Sequence, residues 1–170
     1  MLSMFNPLIK IVLTGDRRWE WLPILVARFS LGLFFAISGY NKLFIAEKHE
    51  DLIQLMIKIG MPFPDLMALF LGSVEFFGGL LLMVGFLATF CAIALTIAMI
   101  VAIVTVEIDT VIPKGIGFLD WMSWFLYLPQ VMYVILFVWL MITGPGRLSI
   151  DHYLANSLGV GGDDQGTGND

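Results

Sequence analysis

Four stretches of the chain stay apolar for the roughly 20 residues that a ~30 Å hydrocarbon core demands of a spanning helix. They cover about 22–46, 65–88, 89–108 and 122–143. The second and third run nearly together, with Gly85 and Thr89 the only turn-like residues between them. One helix through both would be about twice the length a bilayer accommodates, so the pattern predicts a tight helical hairpin. Between the first two stretches, Leu52, Leu55, Met56 and Ile59 recur at helical spacing, as in a short amphipathic helix lying on the bilayer. Gly60-Met61-Pro62-Phe63-Pro64 then stops it, because proline cannot continue a helix and restricts the residue before it. Pro113, Gly115 and Gly117 break the loop before the last span, and Pro129 is expected to kink that span. The fold class is an all-α integral membrane protein, a bundle of four transmembrane helices with short interfacial helices.

Residues 1–21 read as an N-terminal interfacial segment. Residues 1–13 are apolar but interrupted by Pro7 and Lys10 and lack a small-residue cleavage site, and Trp19 and Trp21 mark the water boundary. The membrane domain occupies 22–153, and a flexible tail, Gly- and Asp-rich from Gly159, fills 154–170.

Composition agrees: 59% of the residues are hydrophobic and 14% charged, where a soluble domain is about a quarter charged. The net charge of −5 overstates the acidity, since Asp163, Asp164 and Asp170 all lie in the tail. No basic stripe offers nucleic acid a grip, and Cys91, the only cysteine, excludes a disulfide framework. Loop Lys and Arg set Lys10, Arg17, Arg18 and Arg147 on one side against Lys48, Lys58 and Lys114 on the other. The cluster before the first helix places both termini in the cytoplasm.

With so few charges, those inside the spans carry most of the information, each costing roughly 2.5–3.5 kcal/mol at the bilayer centre. Arg28, Gly32, Phe35, Gly39 and Lys42 follow one another at intervals of 4, 3, 4 and 3, on one helix face. Ala68, Gly72, Glu75 and Gly79 make a matching stripe on the second helix. Two stripes of small residues pack closely, which predicts a polar core in which Glu75 faces Arg28, Lys42 or both. Glu75 is its candidate catalytic group, and Gly32, Gly39, Gly72 and Gly79 are the packing residues. In the alternative reading, Arg28 and Lys42 snorkel to opposite water faces and leave Glu75 protonated. Glu107 reads as the polar end of the third helix, and the Ala94, Ala98 and Ala102 ridge as packing. Gln130, flanked by Tyr127 and Tyr133, reads as packing glue or as the lining of a pocket. His49 and His152 fall on opposite membrane faces and cannot share a metal, so no metal site is expected.

These motifs in order resemble the DoxX family of small four-helix bacterial membrane proteins. The residues are Arg28-x3-Gly32-x6-Gly39-x2-Lys42, Gly60-Met-Pro-Phe-Pro64, Glu75-Phe-Phe-Gly78-Gly79 with Gly85, and Gly144-Pro-Gly146-Arg-Leu-Ser149-Ile-Asp151. The resemblance implies a bacterial cytoplasmic-membrane protein associated with redox partners. Members are linked to thiosulfate:quinone oxidoreductase or quinol-oxidase complexes and to oxidative-stress assemblies. The motif positions that carry over are Arg28, Gly39, Lys42, Glu75, Gly79, Gly146 and Asp151, with Gly144, Gly146 and Asp151 forming the C-terminal motif. Cys91, in an apolar helix, is unsuited to thiosulfate chemistry. The leading expectation is a subunit of a quinone-dependent membrane complex, with quinone as the possible cofactor and protein partners or further copies of itself around it. The alternatives are a non-catalytic scaffold that docks partners through the C-terminal motif, and a carrier of small molecules or lipid.

Overall fold

The computed structural model describes residues 21–144, 146 and 148–157. Residues 1–20 of the expected interfacial segment, the tail beyond residue 157, and Pro145 and Arg147 of the C-terminal motif lie outside the described residues.

Helix α1 (Trp21–Phe44) breaks at the extended Ile45, and amphipathic α2 (Ala46–Lys58) follows at once. Its buried Leu52 and Met56 pack on Ala68. Helix α3 (Pro64–Val84) starts on a proline, whose missing N–H costs nothing in the first turn. It ends at Gly85, whose φ of 72° suits a residue without a side chain. The Gly85 N–H then reaches the Leu82 carbonyl and the Phe86 N–H the Leu81 carbonyl, which satisfies two orphan acceptors and reverses the chain within three residues. Helix α4 (Ala88–Thr110) runs back and contains one wide π-helical turn, Ile103–Glu107.

The fourth crossing differs from the expected kinked helix. It is two helices, α5 (Phe118–Tyr127) and α6 (Pro129–Thr143), bent by 66°. The proline disfavours helical geometry in the residue before it, so Leu128 becomes extended (φ −66°, ψ 123°) and the axis turns there. Three helices, α1, α3 and α4, are each long and apolar enough to cross a membrane, and the α5–α6 pair makes a fourth candidate if its two bent halves form one span. Among the described residues there are no strands. A last helix, α7 (Ile150–Ser157), shows that the first four residues of the expected flexible tail are helical. Ser149 starts it, its Oγ accepting the His152 N–H at 3.0 Å.

Helices α1 and α3 are antiparallel and pack so closely that a Cβ on Gly32 would meet Gly79 O at 2.7 Å. One on Gly39 would fall on the Phe76 backbone, and one on Gly79 on that of Ala36. Gly72 faces only the Leu43 and Lys42 side chains. The bundle has two halves. At the Arg28 end it is solid, with Phe35, Leu82, Leu95 and Phe137 fully buried. At the Lys42 end it is hollow. The outer faces carry exposed Phe29, Ile37, Phe77 and Ile135, as expected where the solvent is lipid.

Candidate functional site

The register of α1 against α3 decides which charges meet. Gly39 lies level with Phe76 on the antiparallel helix, so Glu75 stands about 3 Å of axial rise from Lys42 and about 18 Å from Arg28. Lys42 Nζ contacts both carboxylate oxygens of Glu75, at 2.5 and 2.6 Å. Ser38 donates to Glu75 Oε2 at 2.9 Å. Glu75 is 1% exposed, while the Lys42 side chain keeps 26% of its surface. Such a carboxylate is tolerable in an apolar bundle because one cation and one hydroxyl saturate it. Ser38 sits four residues before Lys42 on the same face, so its role was legible in the spacing although only the charges drew notice. His49 Nδ1 donates to the Lys42 carbonyl at 2.7 Å and so closes the end of α1 beside the pair.

Arg28 belongs to a different centre. It is 3% exposed and donates from Nη2 to the Leu148 carbonyl at 2.5 Å. A Cβ on Gly85 would meet its Nη1 at 2.6 Å, so the glycine turn makes room for the guanidinium. Asp151 completes this end. Its Oδ1 and Oδ2 accept the Leu87 and Ala88 N–H groups, each at 2.8 Å, and its own N–H donates to the Gly85 carbonyl. The first turn of α4 has no other cap, and a carboxylate there also complements the helix dipole. The expected Arg28–Glu75–Lys42 core is therefore resolved into a Lys42–Glu75–Ser38 group and an Arg28–Leu148–Asp151 latch.

Beside the Lys42–Glu75 pair lies a cavity of about 630 Å³. Its walls are Phe34 and Phe35 of α1, Leu71 and Val74 of α3, and Ala94, Ala98 and Ala102 of α4. The alanine ridge, expected to pack, lines the space instead; its side chains are too short to fill it. Leu52 and Met56 of α2 close the Lys42 end. Tyr133 adds an aromatic wall, its ring 5.0 Å from that of Phe34 and 5.5 Å from that of Phe35. Phe70, Ile97 and Val101 line the cavity and are also exposed on the perimeter, so the space reaches the lipid-facing surface between α3 and α4.

A second polar pair sits in the same wall. Gln130 Nε2 donates to Glu107 Oε1 at 2.7 Å. Glu107 sits in the last turn of α4, as expected of its polar end, and it also lines the cavity, where the π-helical turn closes on it. No sequence signature announces such a turn. Gln130, on the lining reading, owes its position to the break at Leu128 and Pro129.

The family model described as DoxX matches residues 24–108, half of the chain. No curated protein and no solved structure matches.

Proposed function

The chain belongs to the DoxX family, and from that membership and the cavity we propose that it is a redox-associated membrane subunit that holds a quinone ring beside the Lys42–Glu75 pair. The observation that carries the reading is an ion pair with a buried carboxylate, set in the wall of a mostly apolar cavity within the helix bundle. An ion pair kept only for stability is replaceable by apolar side chains at little or no cost. Ionisable groups inside a membrane default to function. A cavity of about 630 Å³ with apolar walls and a few polar groups is of the size and character of a small-molecule site. In this reading Lys42 offers positive charge to a ring oxygen, Glu75 holds Lys42 in place, and Tyr133 and Phe34 flank the ring. Purified protein in nanodiscs, titrated with decylubiquinone, tests it. Lys42→Met and Glu75→Gln are each expected to weaken binding by about tenfold, equivalent to ~1.4 kcal/mol. Unchanged binding in both folded variants would overturn the reading.

A carrier of lipid-like small molecules is the second reading, favoured by the exposed lining residues Phe70, Ile97 and Val101. Transfer of a fluorescent lipid between vesicles, accelerated by the protein and slowed by Ile97→Trp, would favour it over the quinone reading.

A further inference from the structure

We infer that the Glu107–Gln130 wall of the cavity selects a ligand that donates hydrogen bonds, and so favours a hydroxyl-bearing ring over its carbonyl form. This deepens the ring-binding reading and rests on it. Gln130 spends its amide nitrogen on Glu107, which turns its carbonyl oxygen the other way. That oxygen, Oε1, is buried and has no hydrogen-bond partner. A buried acceptor left unmade costs ~1–3 kcal/mol, and both residues line the cavity. Among the described residues no basic group lies within ion-pair distance of Glu107. This wall of the site therefore presents acceptors, the Gln130 carbonyl and the Glu107 carboxylate, without a cation beside them.

The Lys42–Glu75 wall differs in the opposite sense. Lys42 and Ser38 already occupy both oxygens of Glu75, and the partly exposed Lys42 is the cation available to a ligand oxygen. A ring bearing a hydroxyl can place its O–H against Gln130 Oε1 and satisfy it. A quinone carbonyl in the same position sets acceptor against acceptor and leaves the amide oxygen unpaired. The selectivity comes from two backbone irregularities: the π-helical turn that delivers Glu107, and the break at Leu128 that starts α6 one residue before Gln130. The shared chemistry is a ring hydroxyl, whether on an isoprenoid quinol from the bilayer or on a free phenol.

The test is anaerobic titration of the full chain in nanodiscs with decylubiquinol, decylubiquinone and tail-less 2,3-dimethoxy-5-methylhydroquinone. Wild type is expected to bind the quinol about tenfold more tightly than the quinone. Gln130→Met is expected to abolish that preference, weakening the quinol relative to the quinone about tenfold, and Glu107→Gln is the second variant should the first fail to fold. Equal affinity of wild type for the two forms, or a preference that survives both substitutions, overturns the inference alone. Failure of both forms to bind wild type overturns the ring-binding reading and this inference with it, whereas binding of the quinol alone supports the donor preference. Loss of affinity without the decyl tail assigns the hydroxyl to a bilayer quinol, and equal affinity without it assigns it to a free phenol; either supports the donor preference.

Discussion

Lys42 and Glu75 meet across the α1–α3 crossing with both carboxylate oxygens of Glu75 within 2.6 Å of the ammonium nitrogen. The two partners are unequally shielded, because Lys42 reaches partly exposed surface and Glu75 does not. That inequality makes their removal asymmetric.

Lys42→Met leaves a fully buried carboxylate without its cation and is expected to cost ~3–5 kcal/mol. Glu75→Gln leaves a lysine that can turn toward its exposed side, at ~1.5–3 kcal/mol. The double variant Lys42→Met with Glu75→Leu is expected to unfold close to wild type, since a matched apolar pair removes the desolvation cost altogether. Denaturant unfolding in detergent micelles measures all three, and equal costs for the two single variants would refute the asymmetry.

Glycines along the crossing should respond according to what they face. Gly39→Ala would drive a methyl into the Phe76 backbone, which has no room to yield, and is expected to lose ~1–3 kcal/mol. Gly72→Ala meets only the Leu43 and Lys42 side chains, at 3.0 Å and beyond, and is expected to be neutral or to gain up to ~1 kcal/mol from helix propensity. Thermal unfolding of the two variants side by side checks the ordering.

The α3–α4 turn carries a strain that Asp151 offsets. Leu87 is held at φ 48°, a left-handed conformation that costs a non-glycine residue ~1–2 kcal/mol, and its N–H is one of the two that Asp151 accepts. Asp151→Ala is expected to lose ~1–2 kcal/mol with the cap. Leu87→Gly, at a position already 51% exposed, is expected to gain about 1 kcal/mol. A destabilised Leu87→Gly protein would show that the turn is not strained.

Much of this fold was legible because the signals are one-dimensional. Runs of apolar residues locate α1, α3 and α4, and Pro62 and Pro64 separate α2 from α3. The 4-and-3 spacing of Arg28, Gly32, Gly39 and Lys42 identifies the face that meets α3. Spacing does not say at which level two faces meet, however. Arg28 and Lys42 share a stripe but stand about 21 Å apart along the axis, so only the register of Gly39 on Phe76 shows which of them reaches Glu75. The Glu107–Gln130 wall of the cavity was less accessible still. Glu107 depends on an inserted π-helical turn, and Gln130 on a proline that breaks its helix instead of bending it. Both are departures from regular geometry, which periodicity cannot register.

Occupancy of the cavity can be read directly by native mass spectrometry of protein purified from its own membranes. Wild type is expected to retain a quinone or quinol in near-equimolar amount. Ala102→Phe, which adds a ring to the cavity lining, is expected to lose it while remaining folded. A ring ligand carried equally by both proteins, or absent from wild type, would contradict ring binding in the cavity.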